Sequence, residues 1–133
     1  MELEFEDIQG YVVRSYKYMM HSRYMLLNVT DAALAKKFIK NNVGDITNVT
    51  HHPTTHCLNF AFTAPGLKAL GMAQDNLDNF TREFREGMTS EHRQRLLGDF
   101  DSSAPVNWRW GGPNTDEVHF LLMVFGANKE IAF

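Results

Sequence analysis

The chain has 133 residues, 44% of them hydrophobic and 22% charged, which suits one globular domain with its own core rather than a disordered segment. A formal net charge of −3 and a pI near 6.0 provide no basic field for nucleic acid and no polybasic patch for a membrane surface. One cysteine cannot form an internal bridge, the acidic start MELEFEDIQG is unlike a signal peptide, and no apolar run approaches the length of a membrane span; a soluble cytoplasmic protein is expected.

In chain order, RYMLLNV at 23–29 is rich in apolar residues and reads as a strand. Asp31 then caps an amphipathic helix, DAALAKKFIK, with Leu34, Ala35 and Phe38 on one face and Lys36, Lys37 and Lys40 on the solvated one. Asn41, Asn42 and Gly44 end it, and DITNVT follows as a short second strand. CLNFAFT at 57–63 is a third strand, with Leu58, Phe60 and Phe62 on one side and Cys57, Asn59 and Ala61 on the other. APGLKALG has Pro65 in its first turn and Gly71 as terminator, Leu77, Phe80 and Phe84 keep helical spacing, and Gly98 stops SEHRQRLL. Residues 99–116 carry two prolines, two glycines and two serines and read as a long loop before the last strand, VHFLLMVFG at 118–126.

The order is β-α-β-β-α-β, an α+β, ferredoxin-like arrangement over 1–133, with an antiparallel sheet and extra helices after the third strand. Phe120, Leu122 and Val124 lie on one face of the last strand and Leu121, Met123 and Phe125 on the other, so both faces are apolar. With helices on one side only, the second face needs a cover. A second copy of the sheet, as in dimeric α+β barrels, or a further domain is the simplest one, and a homo-oligomer is expected.

Chemistry-bearing residues gather in THHPTTHC at 50–57, which holds His51, His52, His56 and Cys57, the side-chain types that zinc prefers. Between two strands, with Pro53 and threonines as turn material, it reads as a hairpin connection. Strand neighbours point to opposite faces, so one pair across the hairpin, such as His51 with His56, can act together, too few for a structural or catalytic zinc. No metal site is expected there. His21 reads as a surface residue, His119 as a satisfied strand-end histidine and His92 as part of a solvated helix face. Trp108 and Trp110 flank Arg109; they either stack on a planar ligand or pin the long loop. Asn28, Asn48 and Asn79 match the N-x-[ST] glycosylation pattern, without consequence in a cytoplasmic protein.

DIQG near the start, HSRYMLLNVTD over the first strand, LNFAFTAPGLKALG over the third, FREGMTSEHRQRLLGD in the helical insert and VHFLLMVFG at the end, taken in order, resemble the amino-terminal half of dye-decolourising (DyP-type) haem peroxidases. The resemblance implies two ferredoxin-like domains packed sheet to sheet, with haem held by the second. It places the peroxide-cleaving aspartate of a GxxDG motif, the proximal histidine and the distal arginine beyond the residues of this sequence. GDFDS at 98–102 imitates the motif, but serine replaces its final glycine and the last strand is still to come; Asp99 and Asp101 read as turn residues.

No catalytic residue is therefore assigned, and no cofactor is expected for the isolated chain. The leading expectation is a non-catalytic domain that acts by self-association or with a separately encoded haem-bearing half. A homodimer that rebuilds a haem pocket and has peroxidase activity is the alternative. A cofactor-free, small-molecule-binding protein of the α+β barrel sort is the second alternative.

Overall fold

A computed structural model describes residues 3–132, leaving the acidic start at Met1 and Glu2 and the final Phe133 outside the described residues. Three strands, β1 (His21–Leu27), β2 (His56–Phe62) and β3 (Phe120–Gly126), form one sheet in the order β1-β3-β2. The Thr63 N–H donates to the His119 carbonyl at one end and the Ala127 N–H to the Thr55 carbonyl at the other, so β2 and β3 run antiparallel. Helix α1 (Ala32–Asn42) follows β1. Four short helices separate β2 from β3: α2 (Ala64–Ala69), α3 (Gln74–Leu77), α4 (Arg82–Glu86) and α5 (Glu91–Leu97). A last one, α6 (Lys129–Ala132), follows β3. The fold is α+β, with a three-stranded antiparallel sheet and several helices.

DITNVT is not a strand. Residues Val43–Asp45 form a 3-10 turn, and the segment touches β2 through one isolated parallel bridge, Ile46 to Leu58. The physical reason lies in DIQG. The Gln9 side chain donates to the Phe60 carbonyl (2.9 Å) and accepts from the Phe60 N–H (2.8 Å), occupying the β2 edge that a fourth strand would have used. A parallel bridge also removes the hairpin expected at THHPTTHC, since a hairpin joins antiparallel neighbours. Two smaller differences concern helices. In α1, Leu34 points outward at 65% exposure, while Ala32, Ala35 and Ile39 are half-buried. The helical spacing of Leu77, Phe80 and Phe84 is split between α3 and α4, because Thr81 starts a new helix by accepting the Phe84 N–H on its hydroxyl. Asp31 caps α1 as its position suggests, its Oδ1 accepting the N–H groups of Ala33 and Leu34.

The chain divides into two compact units. One comprises the described residues through Met25, Lys37–Ala61 and the described residues from Leu121; the other comprises Leu26–Lys36 and Phe62–Phe120. In the first, Met19, Cys57, Met123 and Phe125 form the core, with Tyr16 and Leu121 packed on it. The Tyr11 and Tyr16 rings lie 5.5 and 5.1 Å from that of Phe125. On the Leu121, Met123 and Phe125 face of β3, Tyr11, Tyr16 and Met19 of the same chain pack in this unit. Beside it, Asn59 is wholly buried: its amide donates to Gln9 and to the Thr47 carbonyl, and its oxygen accepts from the Tyr16 hydroxyl. A buried amide is tolerated only with such partners.

In the second unit the Phe62 and Phe120 rings meet at 5.7 Å and Leu77 is buried. Thr63 starts α2: its hydroxyl accepts the Gly66 N–H and donates to the Val118 carbonyl. Gly66 presses directly on the backbone of His119, where a Cβ would stand 1.8 Å from the carbonyl oxygen. TAPG therefore holds the start of β3 by a cap and a missing side chain together.

Candidate functional site

The histidine-rich connection belongs to the first unit and borders a cleft of about 460 Å³ lined by His51, His52 and His56 together with Asp45, Asn48 and threonines. All three histidines are exposed. Arg14 holds the connection, donating to the carbonyls of Val49 and His51 and to His52 Nδ1. Because a guanidinium only donates, Nδ1 of His52 is an acceptor here and unavailable to a metal on that side. Cys57 points away into the core, 1% exposed, with its sulfur 3.2 Å from that of Met19. Burial pushes its thiol pKa up, away from the thiolate a metal or a nucleophilic reaction needs. The cysteine and the histidines are adjacent in sequence but do not share a site, and no cluster of three or more metal-ligating side chains occurs among the described residues.

His119 lies in the second unit, 6% exposed. The Val29 N–H donates to Nδ1 (2.7 Å), which assigns the proton of the neutral ring to Nε2, and Nε2 meets the Glu117 carboxylate at 2.9 Å. Both ring nitrogens are thus engaged, as a satisfied structural histidine requires. His92 is exposed on α5, and Asp101 is exposed in a 3-10 turn at φ 51°.

Haem, which the resemblance implies for DyP-type proteins, does not fit these residues. An axial imidazole must offer a free ring nitrogen inside an apolar pocket. His119 has none free, and the cleft beside His51, His52 and His56 is lined mostly by polar side chains.

The second unit also holds a larger cleft, about 650 Å³, walled by Phe62, Phe84, Met88, Trp108 and Trp110. Sequence reasoning saw its tryptophans but not its other wall, because Phe62 and Phe84 belong to elements far from Trp108 in the chain. The loop that carries the indoles is self-tied. Trp108 Nε1 donates to the Ser103 carbonyl (2.8 Å), Asn107 to the Asp101 carbonyl and Thr115 to the Gly112 carbonyl. Gly112 packs against Pro105, where a Cβ would stand 2.2 Å from the carbonyl oxygen. Trp108 both pins the loop and lines the cleft; Trp110 is 61% exposed. Glu83, at the rim, has its carboxyl pKa lowered by its own backbone N–H and then by Arg93.

No helix among the described residues is long and apolar enough to cross a membrane. No protein-family model and no curated protein matches the chain. Among solved structures, a DyP-type peroxidase from Anabaena sp. superposes with a TM-score of 0.77 at 18% identity, covering 93% of this chain and 28% of that one. The chain therefore spans little more than a quarter of the length of that protein. The resemblance read from DIQG to VHFLLMVFG is met at the level of the fold: this chain folds as one part of a DyP-type peroxidase does.

Proposed function

We propose that the chain is a non-catalytic domain of DyP-type architecture that acts by association, with a second copy of itself or with a separate haem-bearing half. The observation that carries this reading is the fold likeness itself: nearly all of these residues superpose on one part, 28%, of a DyP-type peroxidase. Two features support it. His51, His52, His56 and His92 are exposed and His119 has both ring nitrogens bonded, so none of these five is poised as an axial ligand. In the first unit, Val12, Val13, Tyr18, Met20 and Tyr24 stand exposed within thirteen residues, more apolar surface than an isolated domain gains from showing.

The test joins sedimentation to a haem titration and a peroxidase assay. The expected result is an assembly larger than one chain, or one that forms on adding the partner half, with weak haem uptake and no oxidation of an anthraquinone dye by hydrogen peroxide above a free-haem blank. A sharp Soret band at one haem per chain or per dimer, lost on His119→Ala, His92→Ala or His56→Ala and accompanied by dye turnover, overturns the proposal in favour of a haem enzyme.

A further inference from the structure

We propose that the cleft walled by Phe62, Phe84, Trp108 and Trp110 binds a small organic cation that carries an aromatic ring, such as an aryl-alkyl quaternary ammonium. The volume, about 650 Å³, lies within the range of pockets that enclose small molecules. The walls supply flat faces for a ring, and indole is the strongest cation–π acceptor among side chains.

The sign of the ligand's charge follows from the charged groups that line the same cleft, namely Glu83, Arg85, Glu86, Asp116 and Glu117. Three of these are matched within the fold: Glu83 pairs with Arg93 at 2.8 Å, Arg85 with Asp78 at 3.1 Å and Glu86 with Arg82 at 2.5 Å. Asp116 and Glu117 have no Lys or Arg partner among the described residues. Glu117 takes a hydrogen bond from the His119 ring, which orients the carboxylate without cancelling its charge while that ring is neutral. Two uncompensated carboxylates therefore stand in a cleft whose broad surfaces are aromatic. An anion is repelled by both features, a neutral ring uses only the walls, and an aromatic cation uses walls and charge together. The inference is independent of the association proposed above.

The two tryptophans of the chain both line this cleft, so intrinsic fluorescence reports on it directly. Titration with benzyltrimethylammonium should give a saturable change in emission, with benzyl alcohol and benzenesulfonate weaker by about tenfold or more, the scale of one desolvated cation–π contact. Asp116→Asn should weaken the cation several-fold and leave benzyl alcohol unchanged, while Trp110→Leu should weaken both. Circular-dichroism melting verifies that each variant is folded, and Asp116→Asn, with an exposed side chain, serves as the second variant if the tryptophan change disturbs the loop. A response that never saturates, equal affinity for the three probes, or an Asp116→Asn variant that binds the cation as the parent does overturns the proposal.

Discussion

Two long connections, residues 43–55 and 99–117, differ in what secures them. The first contains two of the chain's six histidines and is held from outside, by the Gly10 N–H and Asn59 on the Thr47 carbonyl and by Arg14 on the carbonyls of Val49 and His51. The second secures itself through Trp108 to Ser103, Asn107 to Asp101 and Thr115 to Gly112, and so keeps two indoles at a cleft. Ligand-type residues crowded in sequence stand here as exposed rings beside a buried cysteine. Residues from elements far apart in sequence are brought to one cleft by a self-tied loop.

The sharpest way to break the first connection is at its buried anchor. Asn59→Leu removes three hydrogen bonds and leaves the Tyr16 hydroxyl without its acceptor in an apolar core, a loss of about 3 kcal/mol. Chemical denaturation should show that loss, and hydrogen exchange should show faster opening of residues 43–55 while 99–117 keeps its protection. The second connection has its own break point. Gly112→Ala drives a Cβ into the Pro105 carbonyl, so the backbone must shift at a cost of about 2 kcal/mol. Here tryptophan emission should move to the red and proteolysis should begin within 99–117, with residues 43–55 unaffected. If both variants loosen both connections alike, the contrast between them is wrong.

A pH titration sharpens the same contrast. Burial first, and the neighbouring Cys57 second, push the Tyr16 pKa from its ordinary value near 10 up to about 12, against the lowering effect of its Asn59 bond. The raised value means that the folded state favours the neutral phenol. The resulting stability is fully present below pH 10 and is lost as pH climbs from 10 towards about 12. Stability of the parent chain should fall through that window, and Tyr16→Phe should remove that part of the fall, at the expense of about 1 kcal/mol at neutral pH for the lost hydrogen bond. A parent and variant with superimposable alkaline profiles would mean that Tyr16 titrates as an exposed phenol.

Much of the architecture was legible in local pattern, and the reasons are particular. The three observed strands carry runs of apolar and aromatic residues, and Asp31, Pro65 and Gly98 mark helix ends by chemistry that acts within a few positions. What local pattern missed depends on contacts distant in sequence. DITNVT has the composition of a strand, yet a glutamine side chain fifty-one residues from Phe60 takes the edge it would have paired with. Nor does anything between Tyr11 and Met19 signal in sequence that Tyr11, Tyr16 and Met19 pack on the Leu121, Met123 and Phe125 face of β3. His119 was placed correctly because a histidine at a strand end is usually satisfied; the identity of its partners, Val29 and Glu117, came only with the fold.

The smallest effect is expected where the sequence is most suggestive. Replacing His51, His52 and His56 together by alanine removes three exposed rings, one contact with Arg14 at His52 Nδ1 and one with the Thr55 hydroxyl at His56. Exposed hydrogen bonds of this kind are worth a few tenths of a kcal/mol, so the melting temperature should fall by no more than about 2 °C. Arg14 still reaches the carbonyls of Val49 and His51, which belong to the backbone and survive the substitutions. Zinc discriminates between the readings, because a ligand that binds only the folded state must raise the melting temperature in proportion to the logarithm of its concentration. Added zinc should leave parent and triple variant equally unchanged. A concentration-dependent rise in the parent that vanishes in the variant would make residues 50–57 a metal site, and the contrast between the two connections would then have to be redrawn.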